Sequence, residues 1–295
     1  MLWRSLLRLP LRPRPAPWRG YAMRASAASS EASQSCTFVC ISDTHNQHAA
    51  LSLPPGDVLL HAGDLTLRGS LGEAQAFAAW WHAQPHAQKV VVAGNHDHCF
   101  DAAMAGERAR EASGGGAALH AVAAALLHRP EAGSHFLLDS GVRTQRGGFA
   151  IWGAPWQPQF WGAFNLPVMG REAAAKWALI PAGTDVVVTH GPAAGFLDFV
   201  PRVGRHVGCP LLAQELLGRV RPAAAVCGHI HEGYGVAWGH NGWDEAAQRA
   251  TATAFLNAAS CTLRYEPRNA PLVFTLRRAG GAVQCVVEGH EPRGD

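Results

Sequence analysis

No stretch of this 295-residue chain approaches the roughly 20 consecutive apolar residues that cross a bilayer, so no membrane span is expected. C-x-x-C spacing is missing as well. The seven cysteines, Cys36, Cys40, Cys99, Cys209, Cys227, Cys261 and Cys285, are odd in number and scattered, and they read as reduced residues, several of them small core hydrophobes on strands. No basic stripe with interleaved aromatics occurs and the formal net charge is only +3, which leaves nucleic acid little to bind. Acidic residues are absent before Glu31, while Arg4, Arg8, Arg12, Arg14, Arg19 and Arg24 accumulate there among Ala, Ser and Pro. A secretory signal needs an unbroken apolar core, and Arg4, Arg8 and Arg12 interrupt each candidate. Residues 1–34 therefore read as an organellar transit peptide, for mitochondrion or chloroplast; the alternative is a disordered basic tail with no address on an otherwise cytoplasmic chain.

What is present begins near Ser35. Residues 35–291 suffice for one large α/β domain in a chain that is 48% hydrophobic. Five apolar runs, Thr37 to Ser42, Val58 to His61, Val90 to Ala93, Val186 to Thr189 and Ala223 to Cys227, have the composition of buried parallel strands. Each is followed at once by a polar segment: Asp43-Thr44-His45-Asn46, Gly63-Asp64, Gly94-Asn95-His96-Asp97, His190-Gly191 and Gly228-His229-Ile230-His231. Gly72 to Ala83, Arg171 to Ala178 and Pro210 to Arg219 have helical spacing, the last with Leu211, Leu212, Leu216 and Leu217 on one face. Two insertions are expected: residues 102–134, low in complexity and peripheral, with a helix near Ala117 to His128, and a polar, Trp-containing excursion over residues 238–249.

Side chains at the ends of neighbouring parallel strands converge, and here they are metal ligands. Two divalent ions about 3.5–4 Å apart need a bridging carboxylate, several neutral donors and open positions for water and substrate. The pattern places Asp43, His45 and His231 on one ion, Asn95, His190 and His229 on the other, and Asp64 between them. No thiolate belongs to the set, and manganese, iron or zinc suits it.

The segments, in this order, resemble the calcineurin-like metallophosphoesterase family, whose pattern D-x-H, G-D, G-N-H-[DE], H and G-H-x-H is met from Asp43 to His231. Gly153 to Pro158, Phe164 to Pro167, Thr189 to Pro192, Gly228 to Gly235 and Arg264 to Pro271 are similar to the branch called metallophosphoesterase domain-containing proteins. The resemblance implies a four-layer α/β sandwich, two mixed sheets flanked by helices, with a dinuclear site at its apex. It also implies in-line attack by a metal-bridging hydroxide, and a His96 that binds no metal and protonates the leaving group. Imidazole titrates near neutrality, which suits an acid. Asp97, its neighbour, is the candidate to orient that ring. In the protein Ser/Thr phosphatases the second motif reads G-D-x-x-D-R-G; here Leu67 replaces the second Asp, and the chain falls outside that branch.

Substrate contacts are less marked. Asn46 and Arg68 flank the ligands, Arg68 either meeting phosphate bidentately or lying on an exposed loop. Trp152, Trp156, Phe160, Trp161 and Phe164 form an aromatic stretch, of which Trp156 and Trp161 either wall the substrate or pack the fold. Arg202, Arg205 and His206 form a basic edge for phosphate oxygens, or a solvated loop. The expected activity is hydrolysis of a small-molecule phosphate ester, a diester by resemblance; a phosphomonoesterase and a non-catalytic metal-binding scaffold are the alternatives. Oligomeric state is left open.

Overall fold

In a computed structural model of the chain, residues 35–104, 116–244, 249–279 and 282–290 are described. The leader, residues 105–115 of the first expected insertion and residues 245–248 of the second lie outside them. The first half of the domain runs β1 (Ser35–Ile41), β2 (Val58–Ala62), α1 (Leu71–Ala83), β3 (Gln88–Val92), α2 (Gly116–Leu127), β4 (Ser134–Phe136). The second runs β5 (Ser140–Arg143), β6 (Ala150–Ala154), β7 (Gln157–Pro158), β8 (Asn165–Leu166), α3 (Arg171–Trp177), β9 (Val186–Thr189), β10 (Phe199–Val200), β11 (Arg205–His206), α4 (Pro210–Glu215), β12 (Ala224–Cys227). It closes with β13 (Gly235–Asp244), β14 (Arg249–Asn257), β15 (Leu272–Ala279) and β16 (Ala282–Val287).

These strands form two mixed six-stranded sheets. The first has the order β16-β15-β1-β2-β3-β4, with β1 to β4 parallel and β15 and β16 antiparallel. The second has the order β13-β14-β12-β9-β6-β5, with antiparallel strands at both edges. Strand alternation sorts side chains into layers. Phe38 and Cys40 of β1, Val90 and Val92 of β3, and Val186 and Val188 of β9 fill the space between the sheets. Val39, Ile41 and Val91 face the other way, onto α1 and α2. Val187 and Ala225 face α3 and α4. The result is helix, sheet, sheet, helix, the expected sandwich.

Local signals place the helices. Ser70 caps α1, its side chain accepting from the Glu73 amide while Glu73 reaches back, a full capping box. Ala74, Phe77, Ala78 and Trp81 then form one buried stripe at helical spacing. Both expectations about insertions are corrected. Residues 116–127 are not peripheral: α2 buries Ala123 and Leu127 in the same core layer as Phe77 and Trp81. Residues 238–249 are not an excursion either: most lie on β13, paired antiparallel with β14 and shifted in register between His240 and Gly242. The run Gly239-His240-Asn241-Gly242 interrupts its apolar alternation, which hid it.

Candidate metal centre

The five inner parallel strands that precede a candidate ligand segment, β1, β2, β3, β9 and β12, end at the same edge of the sandwich. There Asp43, His45, Asp64, Asn95 and His190 are buried, whereas His96, His229 and His231 are half-exposed at the mouth. Close approach requires glycine at two of these turns. A Cβ on Gly94 would collide with the Asp64 carboxylate, and one on Gly228 with that of Asp43. Asp43, His45, Asp64 and His229 are themselves left-handed, with φ of 51°, 41°, 58° and 68°. Non-glycine residues are held so only where surrounding structure over-determines them, and such outliers gather at functional sites.

The donor atoms converge in two groups joined by one carboxylate. His45 Nε2 lies 3.3 Å from His231 Nε2, and His231 Nε2 lies 3.4 Å from Asp43 Oδ1. Asn95 Oδ1 lies 3.0 Å from His190 Nε2 and 2.8 Å from His229 Nδ1. Asp64 Oδ2 stands between the groups, 3.6 Å from His45 Nε2 and 3.5 Å from His190 Nε2. Ligands about 2.0–2.2 Å from one ion are about 3.0–3.5 Å from each other, so these spacings suit coordination shells. The rings are held as ligands are: His190 Nδ1 donates to the Ala62 carbonyl at 2.9 Å and His231 Nδ1 to the Thr262 carbonyl at 3.0 Å. Each donation leaves Nε2 turned into the cluster.

Electrostatics makes the same demand. Burial disfavours the charge on Asp43 and Asp64, yet neighbouring histidines hold both carboxyls below their ordinary range. The compensating protons sit on His190 and His231: burial opposes them, but Asp64 and Asp43 respectively push each up to about 9. Burial pulls His45 down to about 4 and His229 to about 3. Two anionic carboxylates thus hold two protons on nitrogens that converge with them, a positive charge that divalent ions can replace.

His96 projects beside this cluster. Its ring is 4.6 Å from that of His45 and 4.9 Å from Trp161, and its Nδ1 donates to the Leu67 carbonyl at 2.7 Å. The ring lies near enough to His45 and Asp64 for the three to form a further possible ligand group. The expectation that Asp97 orients this ring is corrected. Asp97 is fully buried and accepts from the amides of Leu65, Thr66 and Gly94 and from the Thr66 hydroxyl, at 3.1, 2.9, 2.8 and 2.7 Å. It ties the Asp64 loop to the Asn95 loop. Burial, then the charge of Asp64, pushes its carboxyl up to about 6 against those donors. The main chain of Leu67 supplies the support for His96 that the side chain at this position does not.

Trp161 lies at the rim, 56% exposed, but Trp156 takes the packing role: Nε1 donates to Asp139 at 2.7 Å and Lys176 sits 4.0 Å above its ring. Asn46 Nδ2 donates to Glu73 at 2.6 Å, and Arg68 is exposed on the loop after Asp64. Arg202, Arg205 and His206 are exposed on the β10–β11 hairpin, where His206 Nδ1 is 2.5 Å from buried Asp198. Two rim residues escaped the choice of site residues. Phe160 stands 5.3 Å from His229, and Tyr265 is 4.8 Å from His45 and 5.7 Å from His231. Tyr265 lies far beyond the last ligand, and its place in the Arg264 to Pro271 segment was the available signal.

A mixed-sheet sandwich carrying converging carboxylates, imidazoles and an asparagine amide at its strand ends defines the metallophosphoesterase class of phosphoric ester hydrolases. The sequence profile of the calcineurin-like phosphoesterase family matches residues 36–233. Human metallophosphoesterase domain-containing protein 1 is 39% identical over 249 residues, 81% of this chain and 70% of its own length. The Caenorhabditis elegans UPF0046 protein T07D4.2 is 36% identical over 250 residues, 81% of this chain and 59% of its own. A solved crystal structure with 13% identity superposes at a TM-score of 0.54, covering 86% of this chain and 99% of that one, a likeness of fold. The chain belongs to the calcineurin-like phosphoesterase family, in the branch of the metallophosphoesterase domain-containing proteins.

Proposed function

We propose that this chain is a dinuclear phosphodiesterase, with Asp43, His45 and His231 holding one divalent ion, Asn95, His190 and His229 the other, and Asp64 bridging them. The observation that carries the reading is the place of Asp64 Oδ2, about equally far from His45 and His190. Such ions, when bound, supply Lewis-acid charge and an activated water for in-line displacement at phosphorus. Manganese, iron and zinc all match the donor set.

The chain's own residues do the rest. His96 gives a proton to the departing alcohol oxygen from its second ring nitrogen, while Nδ1–H stays on the Leu67 carbonyl and fixes the ring. Trp161 against one side of His96 limits water there. A diester carries one charge fewer than a monoester and a second substituent. The exposed rings of Phe160, Trp161 and Tyr265 offer that substituent an apolar wall.

The test compares bis(p-nitrophenyl) phosphate with p-nitrophenyl phosphate on protein reconstituted with manganese. A higher kcat/KM is expected for the diester, and Trp161→Ala should reduce diester turnover more than monoester turnover. A clear monoester preference would promote the phosphomonoesterase alternative. Two bound metals with no turnover of either substrate would return the non-catalytic reading.

A further inference from the structure

The mouth of the metal centre is surrounded by apolar side chains that the fold leaves uncovered. Phe160, Trp161, Phe199, Val203, Leu263 and Tyr265 are 63%, 56%, 45%, 51%, 63% and 40% exposed. They come from three separate loops, each anchored at the candidate ligands. Phe160 and Trp161 pack on His229 and His96. Leu263 follows Thr262, whose carbonyl holds His231, and Tyr265 packs on His45. The hairpin bearing Phe199 and Val203 is docked at its base: the Asn257 amide donates both to Leu197 O at 3.4 Å and to Ile230 O at 2.8 Å.

Two of these loops carry charge of one sign, and on the third Glu266, after Tyr265, is paired with Arg268 at 2.8 Å, which leaves Arg264 as the cation beside the tip. No acidic residue occurs from Trp156 to Gly170 or from Phe199 to Val207, whereas Arg202 and Arg205 are exposed on the hairpin and Arg264 beside Tyr265. Apolar and aromatic tips interspersed with arginines suit the boundary between lipid headgroups and acyl chains, where aromatic rings settle and arginines meet anionic lipid. They are spread over tips of three separate loops.

We propose that the face around the metal centre docks on an anionic lipid bilayer, so that the phosphate esters reaching His96 are presented at a membrane surface. The docking is independent of turnover; only its consequence for substrate rests on the phosphoesterase reading.

The experiment is cosedimentation of the full chain with vesicles of phosphatidylcholine alone and of phosphatidylcholine with phosphatidylserine. Wild-type protein is compared with Val203→Asp/Leu263→Asp, two exposed tips outside the proposed catalytic machinery. The arginine-rich leader is common to both proteins, and repeating the assay at about 0.5 M salt screens its contribution. Wild-type protein should pellet with the phosphatidylserine vesicles, and the double variant should bind about tenfold or more weakly at both salt concentrations. Its turnover of soluble bis(p-nitrophenyl) phosphate should be unchanged. Equal pelleting of the two proteins, or a wild-type chain that stays in solution with both vesicle types, overturns the proposal and leaves the rim to a protein partner. Failure of the phosphoesterase reading would show separately, as vesicle binding without hydrolysis.

Discussion

Replacing Asp97 by asparagine tests how the two ligand loops are joined. The side chain is fully buried and almost isosteric with its replacement, so the change is one of hydrogen-bond chemistry. Oδ1 accepts from the Thr66 amide and hydroxyl, and Oδ2 from the Leu65 and Gly94 amides. An amide group can keep one oxygen only. Whichever way it turns, an NH2 group faces at least one main-chain N–H and leaves that donor without an acceptor. Oriented against Oδ2's partners it strands two. At about 1–3 kcal/mol for each buried unsatisfied donor, Asp97→Asn should cost about 2–5 kcal/mol. For a domain of this size that is a fall in melting temperature of about 5–15 °C. Loosening the loops also shifts Asp64 relative to Asn95 and His96, and a misplacement of about 1 Å is worth roughly 100-fold in turnover. Thermal melts and kcat at saturating metal read the two effects. A variant that melts with the wild type and turns over normally would refute the role assigned to Asp97.

Four further outcomes follow from the geometry. Asp64→Asn should weaken both metal sites and abolish nearly all activity, whereas His45→Ala should mainly deplete one; elemental analysis showing two metals in Asp64→Asn with normal turnover would break the ligand assignment. His96→Ala should lower turnover by roughly 10²–10⁴ on a substrate with a poor leaving group, at constant metal content, and by less when p-nitrophenolate departs; equal losses exclude the acid role. His190 and His231 are held protonated to about 9 without metal, so loading near pH 7.5 should expel about two protons and affinity should rise with pH toward 9. Calorimetry in two buffers of different ionisation enthalpy measures this, and a buffer-independent heat contradicts it. Residues 1–33 fused to a fluorescent reporter are expected to carry it into an organelle, and a diffuse cytosolic signal rejects the targeting expectation.

In the metal-free chain the same two histidines also bear on stability. Their raised values favour folding below about pH 6.5, and that contribution is lost as pH rises through about 9. Bound metal replaces it. The alkaline sensitivity of the metal-free protein should therefore exceed that of the loaded one.

The inner strands and the convergence of the candidate ligands at their ends were legible from sequence alone, because a strand buried on both faces must be apolar throughout and the polar segment follows it at once. Val90 to Ala93 followed by Gly94-Asn95-His96 states strand, turn and ligand in consecutive residues. Tertiary structure alone decided the rest, for one physical reason: the deciding contacts join residues distant in the chain. His45 meets His231 at a separation of 186 residues, and Tyr265 reaches His45 from beyond the last motif. Asp97 lies next to His96 in sequence, yet its carboxylate turns back to gather the Leu65 and Thr66 amides, while a main-chain carbonyl, which no side-chain pattern reports, holds the His96 ring. Composition also misplaced β13, where the run Gly239-His240-Asn241-Gly242 breaks the apolar alternation, and α2, whose Ala123 and Leu127 enter the core because α1 and the first sheet lie against them.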